Sequence, residues 1–281
     1  MTGWRHLLIA SLSLLLGACT RTPDTGDDSR MNYLYPADLK VSCPAGSLSA
    51  IPSADGQRIN GAQFSYQVRT PANYAARFAH PLLVVYAPAG ASAGQTERLM
   101  KLTATATGRG FIVAYVDHRP MSKRTVLGLG GVSRSVAEHW CVDTQRVFHA
   151  GHSDGGTVAT ALALHPQTSA GVQGIAVSAA GFQKQDLEEM HCRAPMPVMI
   201  MHGSQDKLFP GWGREAAQWW SQCNGCKAPV LGPDESGCVE YSACAPGNPV
   251  LYCEGAQTHR EWAGLQGRIV DFLTGRPTTG G

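Results

Sequence analysis

The residues Gly151-His152-Ser153-Asp154-Gly155 form a G-x-S-x-G element. A serine in such a setting can attack an acyl carbon once a neighbouring base takes its proton. The same pattern recurs at Gly90-Ala91-Ser92-Ala93-Gly94, and in a chain of 281 residues with 32 glycines such matches arise easily by chance. The surrounding elements must therefore decide between the two serines. A nucleophile on a strained strand-to-helix turn needs small neighbours and a helix that starts at once. Ser153 follows the apolar run Val147–Gly151, and after Gly155 and Gly156 the stretch TVATALAL at 157–164 continues as a helix. That helix start also aims backbone N–H groups at the serine. Ser92 lies five residues past the end of its own apolar run at Ala87, with Pro88 between, and the segment after it reads as slower to become helical. Ser153 is the expected nucleophile.

A serine hydroxyl needs a base beside it, and the base needs an acid to orient it. With this kind of turn the partners follow in the order Ser, Asp or Glu, His, on loops after later strands. Asp206 follows the apolar run Val198–Met201, and His259 follows Val250–Cys253 by a short loop. Other candidates are worse placed. Asp234, Glu235 and Glu240 lie in a cysteine-rich loop, His202 precedes the acid at a strand end, and His152 would have to reach backwards to its neighbour. The developing oxyanion requires two N–H donors, expected from Asp154 and from Ala89 or Gly90, since Pro88 has no N–H. Trp212 and Trp262 flank the acid and histidine loops as substrate-pocket candidates, whereas Trp219 and Trp220 are better explained by helical core packing.

The elements that must hold these residues are legible as apolar runs alternating with helical spacing. Strands are expected at Leu82–Ala87, Phe111–Val116, Val147–Gly151, Ile175–Ala179, Val198–Met201 and Val250–Cys253. Helices are expected at Gln95–Thr107, Ser133–Trp140, Gly156–Leu164, Arg214–Gln222 and Glu261–Leu273. This alternation implies a doubly wound, mostly parallel α/β sheet, and residues 59–69 suggest an antiparallel edge pair.

The N-terminus has a different purpose. Arg5 and His6 precede a short apolar run, Leu7–Leu16, too short to span a bilayer, which takes about 20 residues. Leu16-Gly17-Ala18-Cys19 resembles a bacterial lipobox, so residues 1–18 are expected to be a lipoprotein signal with Cys19 lipidated. Thr20 after the cysteine points to the outer membrane, with secretion the other outcome. Thr20–Arg30 is polar and reads as a flexible tether, within a segment 19–39 that carries the lipidated Cys19, with 40–276 expected as one catalytic domain and 277–281 as a disordered tail. With 43% hydrophobic residues and a net charge of +2, the chain is neither disordered nor a natural partner for nucleic acid. A monomer is expected. The nine cysteines are odd in number. Setting Cys19 aside leaves Cys43, Cys141, Cys192, Cys223, Cys226, Cys238, Cys244 and Cys253, which in an exported protein read as four disulfides of open connectivity. A zinc site in the 223–244 loop is disfavoured by its second, longer cysteine spacing.

Several segments together resemble the polyhydroxybutyrate depolymerase and feruloyl esterase family of secreted α/β-hydrolases. They are Pro81–Tyr86, Val142-Asp143-Thr144-Gln145-Arg146-Val147-Phe148 leading into the serine turn, Met201-His202-Gly203-Ser204-Gln205-Asp206, and Thr258-His259 with Trp262. The resemblance covers most of residues 80–275. It implies an α/β-hydrolase fold and hydrolysis of carboxylic esters by Ser153, Asp206 and His259, with no metal or cofactor. The family pattern also suggests a Cys141–Cys253 bridge tying the histidine loop to the serine strand. Two departures lie on the substrate side: Ala87-Pro88 replaces the usual His-Gly, and His259-Arg260-Glu261-Trp262-Ala263-Gly264 replaces the usual H-x-W-P-G. The expected function is thus a serine ester hydrolase at the cell envelope acting on a small or polymeric ester. A peptidase or acyltransferase on the same fold, and a non-catalytic envelope lipoprotein, are the alternatives.

Overall fold

A computed structural model describes residues 43, 57–76, 78–227 and 232–275. The signal expected at 1–18, the lipidation expected at Cys19, the expected tether and the tail expected at 277–281 lie outside the described residues. Among those described, no helix is long and apolar enough to cross a membrane.

Nine strands form one sheet: β1 (Gln57–Asn60), β2 (Ser65–Arg69), β3 (His80–Tyr86), β4 (Ile112–Val116), β5 (Val142–His152), β6 (Ile175–Ser178), β7 (Val198–Gly203), β8 (Cys238–Tyr241) and β9 (Val250–Gly255). Their spatial order is β1-β2-β4-β3-β5-β6-β7-β9-β8. The middle of the sheet, from β4 through β9, is parallel. Its two ends are antiparallel, made by β1 and β2 on one side and β8 on the other. Every residue of β3, β4, β6 and β7 is buried. That is why these strands read as continuous apolar runs: a central parallel strand is covered on both faces. Alternate side chains feed two cores, with Leu82, Val84 and Tyr86 on one face of β3 and Leu83 and Val85 on the other.

The helices are α1 (Ala93–Met100), α2 (Thr103–Gly108), α3 (Lys123–Leu129), α4 (Val132–Ala137), α5 (Asp154–Leu164), α6 (Lys184–Glu188), α7 (Trp212–Cys223) and α8 (Gln266–Leu273). Three expectations are corrected. The helix expected over 95–107 is two helices, broken at Lys101 in the left-handed region, φ 51°. Met100 and Leu102 are both fully buried, and residues two apart on a continuous helix face different sides, so the break lets both enter the core. The helix expected from Glu261 begins only at Gln266. Glu261 instead closes a turn, its Oε2 accepting from the Thr258 N–H and Oγ1, each at 2.8 Å, which keeps His259 on a loop. The helix expected over 133–140 ends at Ala137 and is preceded by α3.

All eight cysteines beyond Cys19 pair, as Cys43–Cys141, Cys192–Cys223, Cys226–Cys244 and Cys238–Cys253. The Cys141–Cys253 bridge is therefore wrong. Cys141 precedes the first residue of β5 and Cys253 lies far along β9, three strand spacings away, roughly 14 Å. Cys238 on β8 sits directly opposite Cys253 in the antiparallel register. The loop cysteines weighed as zinc ligands are all spent in these bonds.

The Asp143-x-x-Arg146-Val147 lead-in works at the far end of β5. Buried Asp143 accepts from Arg146 Nε at 2.6 Å and from the Gln145 N–H at 3.0 Å. Arg146 also reaches the Ala79 carbonyl at 3.4 Å, clasping the starts of β3 and β5 where their register shifts between His80 and Leu82.

Candidate active site

Ser153 stands between β5 and α5 with φ 55° and ψ −122°, a conformation a non-glycine residue rarely adopts. The turn is possible because its neighbours lack side chains. A Cβ on Gly151 would lie 2.2 Å from the Gly155 carbonyl, and one on Gly155 would lie 2.1 Å from the Tyr86 carbonyl. Both are overlaps no packing adjustment absorbs, so α5 can start hard against the ends of β5 and β3 only with glycine here. The turn is further held by the Ser153 N–H donating to the Ser178 carbonyl at 2.9 Å and by Thr157 Oγ1 donating to the Ser153 carbonyl at 3.0 Å.

Ser153 Oγ lies 2.8 Å from His259 Nε2, and His259 Nδ1 lies 2.8 Å from Asp206 Oδ2. The Asp206 carboxyl is inaccessible to solvent, and its other oxygen accepts the N–H groups of Leu208 at 2.9 Å and Phe209 at 3.0 Å. Burial on its own would raise the pKa of this acid, but the Phe209 N–H, the His259 side chain and the Leu208 N–H together hold it below the ordinary carboxylate range. An ionised carboxylate only accepts, so the proton sits on His259 Nδ1 and Nε2 is free to accept from the serine hydroxyl. The acid and histidine loops are zipped together by the Ser204 N–H to the Gly255 carbonyl at 2.8 Å and the Gln205 N–H to the Gln257 carbonyl at 3.3 Å. Gly203 permits that approach, since a Cβ there would lie 1.9 Å from the Gln257 carbonyl oxygen.

The other candidate groups sit in different settings. Ser92 is the N-cap of α1, in extended conformation, its Oγ accepting the Gln95 N–H in a capping box. The helix starts immediately after Ser92, contrary to expectation; what separates it from Ser153 is its ordinary backbone, φ −83°. His202 is buried 3.8 Å from Asp206 Oδ2, and Gly213 of α7 is packed onto its side chain. Burial holds its pKa down. Asp234 turns the loop before β8, accepting from the Ser236 and Cys238 N–H groups.

The expected oxyanion donors belong to the loop after β3 and to the start of α5. The Ala91 N–H is spent on the Pro88 carbonyl at 3.0 Å, and Gly90 has φ 74°, which together make residues 88–91 a tight turn. Gly155 packs closely on Tyr86 and Ala87, the residues that lead into this turn. His118, just past β4, braces both: its N–H donates to the Ala91 carbonyl at 3.0 Å, and its Nε2 lies 3.1 Å from Asp154 Oδ2.

Trp212 lies beside the site, stacked on Phe209 with ring centres 4.5 Å apart, and Phe209 meets the His259 ring edge-on at 4.8 Å. Trp262 instead packs edge-on against His152 at 6.1 Å and against the second core. Trp220 is buried in the core, with Trp219 against it. His118 and Phe209 carry no motif of their own in the sequence. Both follow carboxyl ends of parallel strands, where sites of open α/β sheets gather, and that position is the signal that could have found them.

No family model matches the chain. It is 25% identical to "Feruloyl esterase B" of Piromyces equi over 66% of the chain and 40% of that protein. It is 31% identical to "Putative esterase NocK" of Nocardia uniformis subsp. tsuyamanensis over 49% of the chain and 43% of that protein. The chain thus spans less than half the length of these curated relatives. Among solved structures it resembles an acetyl xylan esterase from Aspergillus awamori, with TM-score 0.54 and 15% identity over 73% of this chain and 93% of that one. It also resembles the S-formylglutathione hydrolase FrmB of Staphylococcus aureus, with TM-score 0.54 and 14% identity over 78% and 96%. A third likeness is esterase Est2 of Thermogutta terrifontis with butyrate bound, with TM-score 0.54 and 17% identity over 78% and 92%. The chain has the α/β-hydrolase fold.

Proposed function

We propose that this protein is a serine carboxylic-ester hydrolase working through an acyl-enzyme. The observation that carries the reading is the pair of 2.8 Å contacts, Ser153 Oγ to His259 Nε2 and His259 Nδ1 to Asp206 Oδ2, built on a serine held at positive φ between strand and helix. The esterases among its relatives support the same chemistry.

His259 Nε2 takes the proton of Ser153 Oγ as the oxygen attacks the ester carbonyl carbon. The carbonyl electron pair moves onto oxygen, which the N–H groups of Asp154 and of Ala89 or Gly90 receive. Collapse of this intermediate breaks the bond to the alcohol oxygen, and His259 gives the leaving alcohol its proton. Water then attacks the acyl-serine with His259 as base, and the second collapse returns Ser153 and releases the carboxylic acid. Asp206 keeps the imidazole in the tautomer both half-reactions need. No metal or cofactor takes part.

The Phe209–Trp212 pair beside His259 favours an apolar or aromatic group on the ester, of the hydroxybutyrate, feruloyl or acetyl classes. Four disulfides favour an oxidising compartment. Lipidation at Cys19 would hold the hydrolase domain, residues 40–276, at the outer membrane.

The test is fluorophosphonate labelling of the wild-type protein with the modified residue mapped by mass spectrometry, beside hydrolysis of a p-nitrophenyl ester. Label on Ser153, with activity abolished in Ser153→Ala and retained in Ser92→Ala, is the expected result. Label on Ser92, or full activity in Ser153→Ala, refutes the assignment. Turnover of feruloyl, acetyl and hydroxybutyrate-oligomer esters by the same preparation orders the substrate classes.

A further inference from the structure

We infer that His152 is a positioning residue that fixes the backbone of His259 to the nucleophile turn, a role that rests on the esterase reading of the site. His152 is nearly inaccessible, so it does not meet substrate. Both its ring nitrogens are engaged: Nε2 lies 2.8 Å from the His259 carbonyl oxygen, and Nδ1 lies 3.2 Å from Ser178 Oγ. A carbonyl oxygen only accepts, so Nε2 carries the proton, and Nδ1 accepts from the Ser178 hydroxyl. Burial pushes the His152 pKa down to about 4, which keeps the ring in this neutral, singly protonated form at neutral pH. The edge of Trp262 closes its other side.

The tie matters because of where it falls. The consecutive residues His152 and Ser153 make two separate bonds to one residue, His259, through its carbonyl and through its Nε2, each at 2.8 Å. During turnover the second bond cannot persist: once Ser153 Oγ is acylated it has no proton to donate. The bond from His152 does not depend on the state of Ser153. Through the acyl-enzyme stage it continues to hold the His259 main chain, while Asp206 holds the ring, so the base meets the incoming water from the position in which it met the serine. A side chain on the nucleophile turn therefore supplies the link between serine strand and histidine loop that no disulfide makes.

The imidazole can be exchanged for groups that keep or drop the donor. In His152→Gln the amide Nε2 can still donate to the His259 carbonyl; in His152→Leu nothing can. Each is assayed as the full chain with p-nitrophenyl butyrate, its melting temperature is recorded, and the low-field proton resonance of the His259 Nδ1–H···Asp206 bond is followed without substrate. The expected result for His152→Leu is kcat lower by about 10- to 100-fold, the scale on which a misplaced catalytic group costs rate. KM should stay within about twofold, since no substrate contact is lost, and the low-field resonance should be shifted or broadened. His152→Gln should recover most of kcat and the resonance. Equal kcat in wild type and His152→Leu, or equal losses in the Gln and Leu variants, overturns the proposal. Should His152→Leu fail to fold, Ser178→Ala, which removes only the group orienting His152, must lower kcat at constant KM; an unchanged kcat there overturns it too. Wild-type hydrolysis that disappears in Ser153→Ala establishes the esterase reading independently, and in a chain without esterase activity the substrate-free resonance still decides whether His152 positions His259.

Discussion

Replacing Asp206 by asparagine changes one atom in the proposed triad, and the surrounding donors dictate the result. Asp206 Oδ1 accepts the Leu208 and Phe209 N–H groups at 2.9 and 3.0 Å. An amide NH2 placed there would confront two donors, so the asparagine must keep its carbonyl oxygen on that side. Its NH2 group then points at His259 Nδ1, where Oδ2 now stands 2.8 Å away. A donor facing a donor forces the imidazole into its other tautomer, with Nδ1 accepting and Nε2 protonated. A protonated Nε2 cannot take the Ser153 proton. The loss in kcat should be on the order of 10⁴-fold, about 5.5 kcal/mol in activation free energy, the magnitude that a wrong tautomer costs a serine triad. Asp206→Asn preserves shape, so the protein should fold, and KM should move little. The assay is steady-state hydrolysis of a p-nitrophenyl ester at neutral pH, with folding checked by circular dichroism. A loss of less than about tenfold in a folded variant would refute the tautomer argument and with it the role of Asp206.

Two further perturbations probe the scaffold. Gly203→Ala puts a methyl group 1.9 Å from the Gln257 carbonyl oxygen, two residues before His259. The histidine loop must move, and kcat should fall by about 10²-fold with little change in the melting temperature of the sheet core; an active Gly203→Ala enzyme contradicts the packing. His149 on β5 is buried, its pKa pushed down to about 3 by desolvation. The unfolded chain binds this proton below its ordinary pKa of roughly 6.5 and the folded chain does not. Stability is therefore lost as pH falls through that window, by up to about 1.4 kcal/mol per pH unit. His149→Phe, which keeps a ring against Tyr86, should flatten the urea-denaturation stability profile between those limits, and an unchanged slope would show that His149 titrates normally.

Local chemistry and the burial of a sheet leave direct marks on the order of the residues. Parallel strands buried on both faces are written mostly in apolar residues, so the core of the sheet was readable, and the order of loops after those strands placed Asp206 and His259 on the same edge as Ser153. The glycines around Ser153 were readable from the motif, although only Gly151 answers a local approach, to Gly155, and Gly155 answers the distant Tyr86 carbonyl. Contacts between distant segments were not readable. Which cysteines pair depends on β8 lying antiparallel beside β9, and β8 is a four-residue strand in a polar, cysteine-rich loop with no apolar run to announce it. The break at Lys101 was set by the core's demand for both Met100 and Leu102, which helical periodicity read along one segment does not contain. His152 is the sharpest case. From the chain it is a histidine in the wrong place to serve its neighbour. Only the packing of the histidine loop over β5, which brings the His259 carbonyl to its Nε2, gives it something to hold, because a hydrogen bond between residues so far apart exists only after the sheet has formed.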